Sequence, residues 1–306
     1  VVGDYASVES RALAWLAGQE DKIEVFRGHG KMYEHAASKI FKVAIEDVSA
    51  HQRFMGKISE LACGFQGGAG AFRSMAEMYG VDIPKRQAEK IKKEWRTANG
   101  QIVSMWGDAE TMALEAVVNP GETQCKDGSK VKFVFKNNFL WCKLPSGRSL
   151  AYHRPYIKQE QVTMIKFPAT EEGPGYNLMY NRYEYTPEQY RRIAKEAGLE
   201  IKTFVAPTLY FWGVDSKTRK WCKQNTYGGK LVENITQAVA RDLMVESMLL
   251  LEAAGYKIVL TIHDEIISEV VDGTVEEFTQ IMEEVPEWAS GLPVKVEAYE
   301  AHRYKK

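Results

Sequence analysis

A short charged sequence, His263-Asp264-Glu265, separates two runs of mostly β-branched residues at positions 257–262 and 266–271. Paired runs of this kind predict a β-hairpin with the charged residues at its tip. Because the flanking runs are almost wholly apolar, burial there would disfavour two ionised carboxylates, so we expect a cationic partner nearby. The alternative is a solvated turn that binds nothing.

A second carboxylate, Asp4, closes a short apolar run at the start of the chain. A helix is predicted directly after it, with Ser7 suited to cap its beginning and Gly18 to end it. If Asp4 faces the hairpin, the carboxylate oxygens would together bind a hard divalent cation such as Mg²⁺.

The rest of the chain divides into helical and β-rich stretches. Residues 31–116 have mostly helical periodicity, and Pro84 opens a charged helix within them. Residues 120–225 are richer in Gly, Pro, Tyr and Thr and contain short alternating segments that are typical of strands. This separation predicts an α+β fold.

A long helix is predicted from residue 230 to 254, with Gly255 as its C-terminal stop. Apolar residues repeat at helical spacing along one face: Leu231, Ile235, Ala238, Val245 and Leu249. Polar residues follow the opposite stripe: Asn234, Gln237 and Arg241. We therefore expect the apolar face to be buried and the polar stripe to be exposed.

An amphipathic helix with a basic edge is predicted near residue 55. Arg53, Lys57 and Gly64 fall within about 40° of one another on a helix of 3.6 residues per turn. The adjoining apolar stripe consists of Phe54, Ile58, Leu61 and Phe65. Arg as a bidentate fork and Lys as a point charge can hold a triphosphate, with Gly64 leaving room for a base. The alternative for the basic edge is an ordinary solvated helix surface.

The glycine-rich residues 66–70 follow this helix. They are interpreted as a flexible turn, because they lack a phosphate-loop pattern.

Charge is unevenly distributed, although the formal net charge is only −1. Residues 126–166 hold nine Lys or Arg against two Asp or Glu, a net of +7, and residues 226–306 hold seven against fifteen, a net of −8. We expect a basic surface and an acidic centre in one molecule. No apolar run approaches the ~20 residues that cross a bilayer, and no secretory signal is recognisable, so a cytoplasmic protein without membrane contact is expected.

Three blocks, taken in order, resemble the signature motifs of family A (polymerase I-like) DNA polymerases. They are Asp4-Tyr5-Ala6-Ser7-Val8-Glu9-Ser10-Arg11, Arg53-x-x-x-Lys57-x-x-x-Leu61-x-x-Gly64-Phe65 and His263-Asp264-Glu265. Gln237, Ala238 and Asp242 are similar to a fourth block, and Gly147-Arg148 resembles the Gly-Arg turn of the family. Residues 57–68 are more similar to phage enzymes than to bacterial repair polymerases.

The resemblance implies an antiparallel-sheet palm with a mainly helical fingers subdomain inserted, and the absence of a thumb and an exonuclease domain. The palm would comprise residues 1–30 and 226–306. The fingers would comprise residues 31–116, with the motif helix at about 51–66. Residues 117–225 would form a β-rich or irregular connection, in which the segment from about 156 to 211 is longer than the family leads us to expect and has no assignment.

The resemblance also implies catalytic roles. Asp4, Asp264 and the backbone carbonyl of Tyr5 would be ligands of two Mg²⁺ ions, which activate the primer 3′-hydroxyl and stabilise the leaving pyrophosphate. Glu265 matches a supporting carboxylate, and Lys57 would donate a proton to pyrophosphate. Host cytoplasm is the expected location if the chain is phage-encoded.

Further residues would contact the nucleotide and DNA. Arg53 and Lys57 would grip the triphosphate, and Tyr33 stands where bacterial relatives have a His on the same group. Leu61 and Phe65 would lie beside the sugar and the nascent pair, and Glu9 matches the steric gate that excludes a ribose 2′-hydroxyl. The residues expected to contact primer-template DNA are His263, Gln237, Asn234, Arg241, Arg148 and Arg11. On the helix that would contact the minor groove of DNA, Glu233 stands where bacterial relatives have an Asn. The neighbouring Asn234 would make the contact of that Asn.

The expected partners are primer-template DNA and dNTPs, together with a thumb-bearing chain or a preceding part of the same polymerase. Three alternatives to a DNA polymerase remain open: a single-subunit RNA polymerase, a two-metal nuclease, and a fragment that binds nucleic acid or a partner chain without activity of its own. Glu9 argues against the first, and Arg53 with Lys57 against the second.

Overall fold

The structure is a computed structural model that describes residues 1–170, 175–179 and 186–304. In chain order the first elements are β1 (Val2–Tyr5), α1 (Val8–Ala17), α2 (Glu20–Arg27), α3 (Met32–Phe41), α4 (Ala50–Cys63), α5 (Ala69–Met78), α6 (Lys85–Ala98) and α7 (Gly100–Val118). A β-rich part follows with β2 (Thr123–Gln124), β3 (Lys132–Lys136), β4 (Phe139–Lys143), β5 (Ser149–Phe167), β6 (Tyr176–Met179), α8 (Pro187–Glu196), β7 (Ile201–Val214) and β8 (Trp221–Thr226). The last elements are α9 (Gly228–Ala253), β9 (Lys257–Ile262), β10 (Glu265–Glu269), α10 (Val275–Met282) and β11 (Val296–Tyr299).

Both ends of the chain meet in a four-stranded antiparallel sheet, with the strand order β11-β1-β10-β9. Asp4 of β1 lies opposite Glu265 of β10 on one side and opposite Glu297 of β11 on the other. The predicted hairpin is confirmed: β9 pairs with β10, and His263 adopts a positive φ of 53° in the short turn between them. Positive φ values are typical of tight hairpin turns.

One face of this sheet packs on α9 and α10. Tyr5 Oη donates to Ser247 Oγ at 2.5 Å and contacts the carbonyl oxygen of Met282 at 3.1 Å. Burial raises the pKa of Tyr5 to about 12, and the hydrogen bond to Ser247 opposes the rise. Gly3 faces the same way, since a Cβ there would lie 2.5 Å from Met282 Sδ. Because side chains alternate along a strand, Asp4 points to the opposite face, where it is half-buried.

The prediction that residues 31–116 are mostly helical is confirmed by α3 to α7. Ser49 and Gln52 form a capping box at the start of α4, and Pro84 precedes α6 as expected. Helix α4 packs closely on α3, because a Cβ on Gly56 would lie 2.2 Å from the carbonyl oxygen of Tyr33. Within the described ranges, no helix is both long and apolar enough to cross a bilayer.

A buried ion pair joins the helices around α4. Lys22 Nζ of α2 lies 2.6 Å from Glu60 Oε2 of α4, and both side chains are 4% exposed. Trp95 of α6 donates from Nε1 to Glu60 Oε1 at 2.8 Å. The Lys22 ammonium lies 5.0 Å from the centroid of the Trp95 ring. Three helices are therefore tied together by one charged, hydrogen-bonded cluster.

The β-rich part forms a second antiparallel sheet, with the order β2-β3-β4-β5-β7-β8 and with β6 added to β5. Its buried side chains, including Phe133, Leu140 and Cys142, belong to the core that also contains residues of α7. The unassigned segment from about 156 to 211 is largely an extension of this sheet, in which β5 and β7 pair from His153↔Trp212 to Ile165↔Ile201. Residues 171–174 and 180–185 of that segment lie outside the described residues.

Helix α9 is confirmed, with Gly255 at a φ of +91° after its end, but its predicted buried face is partly wrong. Leu231 and Ile235 are buried, whereas Val245 is 40% and Leu249 63% exposed. The helix packs against α1 and α7 and also against α10 and β9. Its buried side rotates accordingly, and in the second half it contains Leu243, Met244, Ser247 and Leu251.

Candidate active site

The carboxylates of the two predicted motifs lie side by side on the four-stranded sheet. Strand pairing sets Asp4 opposite Glu265, and the backbone N–H of Tyr5 donates to the carbonyl oxygen of Asp264 at 3.3 Å. Asp4 and Asp264 are both half-buried. A residue at the end of β1 and the turn after β9 are therefore held in one place by backbone pairing.

Glu265 differs from its neighbours because it is buried, with 6% of its surface exposed. Tyr304, near the end of the chain, donates from Oη to Glu265 Oε2 at 2.6 Å. This hydrogen bond and the adjacent carboxylates raise the pKa of Tyr304 to about 12. Glu265 is thus held in place by the protein. Tyr304 was missed by the sequence analysis, because no motif or periodicity marks it.

The donor atoms at this site fit a hard cation that is shared with a ligand. Asp4, Asp264 and the carbonyl of Tyr5 all offer oxygen, which Mg²⁺ prefers. In the described part of the chain, no three His, Cys, Asp or Glu side chains form a group that would hold an ion alone. Mg²⁺ is commonly bound by one or two carboxylates plus substrate phosphates, so this arrangement suits an ion that arrives with a phosphate group.

Glu9 lies between these carboxylates and helix α9. Partial burial raises the pKa of Glu9, a hydrogen bond from the Gln237 side chain opposes that rise, and the charges of Glu233 and Asp264 add to it. Those interactions bring the predicted steric gate, the predicted minor-groove residue and one predicted metal ligand into one neighbourhood.

The predicted triphosphate residues lie on the accessible side of α4. Arg53 Nε donates to Glu34 Oε1 at 2.7 Å, and its guanidinium lies 5.4 Å from the centroid of the Tyr33 ring. The Lys57 ammonium lies 5.3 Å from the centroid of Tyr79. Burial acts to raise the pKa of Glu34, but the hydrogen bond and charge of Arg53 prevail and lower it. Glu34 and Tyr79 were missed by the sequence analysis, since neither belongs to a recognisable pattern.

The end of α4 contacts the helices that carry the other site residues. Leu61 is 45% exposed, and Phe65 is half-buried just beyond the helix. Gln66 Oε1 accepts from the backbone N–H of Gly229, where a Cβ would lie 2.3 Å from Gln66 Cβ. Helix α9 therefore begins directly against the end of α4.

The expectation about Gly64 is wrong, and the glycine-rich turn that follows α4 is crowded at one position. Gly64 does not leave room for a base: it is buried, and a Cβ there would lie 3.3 Å from Leu13 Cδ2 of α1. Within the glycine-rich residues 66–70, Gly67 is tightly packed, since a Cβ there would lie 1.8 Å from the carbonyl oxygen of Ala62, whereas Gly68 and Gly70 have open space around them. Gly64 thus makes room for the Leu13 side chain, and Gly67 for the backbone of Ala62.

The polar stripe of α9 and the Gly-Arg turn come together. Arg148 Nε lies 2.5 Å from Asp242 Oδ1, and its Nη2 donates to the carbonyl oxygen of Ala238 at 2.9 Å. Asn234 Nδ2 donates to Tyr152 Oη at 3.1 Å. Gln237, Arg241 and His263 are exposed. Five of the residues predicted to contact DNA therefore lie in one region of the surface or hold the Gly-Arg turn in place there. They are Arg148, Asn234, Gln237, Arg241 and His263.

Arg11 is the exception, and its assignment to DNA contact is wrong. The side chain is 7% exposed, and its Nε donates to the carbonyl oxygen of Ala6 at 2.7 Å. Its guanidinium lies 4.4 Å from the centroid of Phe26. Burial lowers the pKa of Arg11, and the charge of Glu283 opposes that effect. Arg11 therefore fixes the β1–α1 connection from inside.

Comparisons with known proteins complete this description. No protein-family model matches the chain. A DNA polymerase of Bacillus phage SP02 is 35% identical over 309 residues, which cover 100% of this chain and 41% of the phage protein. A solved structure of the POL domain of Pol1 from M. smegmatis, in complex with DNA primer-template and dNTP, is similar over 97% of this chain and 38% of that chain, with a TM-score of 0.52 and 16% identity. The chain thus spans less than half the length of either protein and shares the mixed helix and antiparallel-sheet fold of the solved domain.

Proposed function

Because this chain is similar over its whole length to a phage DNA polymerase, we propose that it is a family A-like DNA polymerase and carries out template-directed DNA synthesis. The observation that supports the proposal most directly is that strand pairing holds Asp4 beside the Asp264 turn in one sheet. Residues 1–30 and 226–306 would be the palm and residues 31–116 the fingers. A deoxynucleotide would be transferred to a primer 3′-hydroxyl.

Asp4, Asp264 and the carbonyl oxygen of Tyr5 would hold two Mg²⁺ ions. When bound, these ions supply activation of the primer 3′-hydroxyl and charge stabilisation on the leaving pyrophosphate. Glu265 would hold the site in shape, because Tyr304 fixes its carboxyl. Phosphoryl transfer needs little covalent help from protein, so correct positioning of these carboxylates is the main contribution of the sheet.

Arg53 and Lys57 would bind the triphosphate, with Tyr33 beside Arg53. The Arg53–Glu34 ion pair is half-exposed, so a triphosphate can replace Glu34 at modest cost. Lys57 would donate a proton to pyrophosphate. Leu61 and Phe65 would contact the sugar and the nascent pair at the end of α4.

Primer-template DNA would lie along the region formed by Gln237, Asn234, Arg241 and His263, with Arg148 and Asp242 fixing the Gly-Arg turn on α9. Gln237 already contacts Glu9, so a duplex bound there would end beside the carboxylates. Fidelity would then depend on the fit of the nascent pair more than on contacts to particular bases.

Primer extension with one nucleotide at a time tests this proposal. The assay uses a short primer-template, Mg²⁺ and high protein and DNA concentrations. Extension by the complementary deoxynucleotide alone is expected. No extension, or extension without regard to the template, would count against template-directed synthesis by this chain.

Glu9→Ala is expected to raise ribonucleotide incorporation by at least about tenfold relative to deoxynucleotide incorporation, a change of ~1.4 kcal/mol in discrimination. The physical reason is removal of the side chain that occupies the space of a 2′-hydroxyl. The measurement compares kcat/KM for the two nucleotides in single-nucleotide insertion.

Glu9→Gln is the matched control, because it keeps the size of the side chain and removes its charge. It should exclude ribonucleotides nearly as well as the wild type. Equal discrimination by wild type and Glu9→Ala would refute the steric gate, and wild-type use of ribonucleotides as the better substrate would favour an RNA polymerase.

A further inference from the structure

The second sheet has one face covered by the core and one face lined with aromatic side chains. Along β4, Leu140 and Cys142 are buried, so Phe139 and Trp141 point to the other side. Cross-strand partners continue this side across β5, β7 and β8. We call it the aromatic face, and it consists of Phe139, Trp141, His153, Tyr156, Tyr210, Trp212 and Trp221.

Rings of the aromatic face form rows across neighbouring strands. Phe139 lies 5.2 Å from Trp141 and 5.0 Å from His153, as measured between ring centroids. His153 lies 5.7 Å from Trp221, which is 56% exposed. Tyr156 and Tyr210 stack at 5.4 Å. Trp221 is exposed and the other six residues of the face are half-buried, so the rings are partly accessible to solvent.

Lysines flank these rings. Lys132 and Lys136 of β3 lie opposite Lys143 and Phe139 of β4, so they share the same side, and all three lysines are exposed. Among the residues that the structure describes, these three lysines form no ion pair. Lys223 Nζ lies 5.6 Å from the ring centroid of Trp212 and 5.9 Å from that of Tyr156. The face therefore combines ring surfaces with unneutralised positive charge.

Acidic groups do little to offset this charge. Glu160 lies further along β5, and its Oε1 accepts from Lys158 Nζ and from Tyr210 Oη, each at 2.8 Å. The surrounding residues 126–166 carry a net charge of +7, from nine Lys or Arg against two Asp or Glu. A polyanionic ligand fits this electrostatic environment.

The same side of β7 continues into an open cavity. Every second residue of a strand points to the same side, so Phe204, Ala206 and Thr208 share the side of Tyr210 and Trp212. All three line a cavity of about 1970 Å³. Cationic side chains exceed acidic ones around it, six against three. The six are Arg73, Lys85, Lys92, Lys93, Arg96 and Lys166. The aromatic side of β7 is thus continuous with a cavity that is also lined by residues of α5 and α6.

We propose that the aromatic face binds single-stranded DNA, with bases stacked on its rings and phosphates near its lysines. Aromatic platforms beside positive charge bind single strands without sequence preference, because every base has a flat face to stack. A duplex keeps its bases stacked internally and cannot use the rings. This inference goes beyond the proposed catalysis, since the binding requires neither a metal ion nor a nucleotide.

The test is fluorescence anisotropy of a labelled 12-nucleotide oligo(dT) in EDTA, without nucleotides. Trp221→Ala is expected to weaken binding by roughly 5- to 150-fold, the range for loss of stacking with one base. Trp221→Phe keeps a ring and should lose much less. Lys143→Glu should weaken binding and reduce its salt dependence, whereas Lys257→Glu, an exposed lysine on the other sheet, should bind as the wild type does.

A further comparison makes the outcome decisive. Because the binding is measured in EDTA without nucleotides, a failure of the catalytic proposal would leave the oligo(dT) result unchanged. A duplex of the same length should compete poorly. Three outcomes would overturn the proposal: wild-type affinity in both Trp221→Ala and Lys143→Glu, equal losses in Trp221→Ala and Trp221→Phe, or equal competition by duplex. Circular dichroism checks that each variant is folded.

Discussion

Asp264→Asn is expected to lower the rate of single-nucleotide incorporation by on the order of a thousandfold or more, about 4 kcal/mol of transition-state stabilisation. Asn has almost the same size as Asp, and the backbone hydrogen bond from Tyr5 to residue 264 does not involve the side chain. The hairpin should therefore persist while one negative oxygen ligand is lost. Rapid-quench measurement of one insertion on a primer-template gives the rate.

Asp272→Asn is the matched control. It makes the same chemical change at an exposed residue in the connection that follows β10. It should insert nucleotides at the wild-type rate. Calorimetric titration with Mg²⁺ in the presence of dNTP should show weakened binding only in Asp264→Asn. Insertion by Asp264→Asn at the rate of Asp272→Asn would remove this carboxylate from the catalytic proposal.

Glu60→Gln is expected to destabilise the fold by about 3–5 kcal/mol, the range for removing one partner of a buried ion pair. Gln can still accept the hydrogen bond from Trp95, but the Lys22 ammonium would be left without a counter-charge at 4% exposure. The free energy of unfolding from urea titration measures the effect. Because α4 carries Arg53 and Lys57, loss of this anchor should also weaken nucleotide binding.

Two controls separate the buried charge from a general effect of substitution. Lys22→Met combined with Glu60→Gln removes the stranded ammonium and should recover much of the lost stability. Glu24→Gln removes an exposed partner of Arg27, at 66% and 47% exposure, and should cost less than about 1 kcal/mol. Equal losses in Glu60→Gln and Glu24→Gln would contradict the assignment of a buried, unscreened pair.

The sequence analysis succeeded where local patterns and backbone pairing agree. The β-branched runs around residue 264 predicted the hairpin, and the short apolar run that ends at Asp4 forms the strand β1. Pro84 and Gly255 marked helix boundaries because their backbone preferences act within a few residues. The resemblance to known polymerases added roles that periodicity alone cannot supply.

Other features depend on which elements meet, and single-sequence patterns do not contain that information. Val245 and Leu249 continue the helical spacing of Leu231, but they are exposed because the buried side of α9 rotates along the helix. Arg11 looks like a surface cation in sequence, yet three backbone carbonyls and Phe26 surround it. Gly64 and Gly67 similarly serve close packing that becomes visible only in three dimensions.

The four-stranded sheet also sets an order of events during protein synthesis. Its β1 strand pairs with β10 and β11, and the backbone nitrogen of Val1 donates to the carbonyl oxygen of Ser268, 267 positions later. At roughly 5–20 residues per second, a ribosome needs on the order of 13–50 s to supply that partner. Helices α3 to α7 contact one another over short sequence distances and can pack meanwhile. An interrupted chain would therefore be partly folded and still have no assembled carboxylate pair.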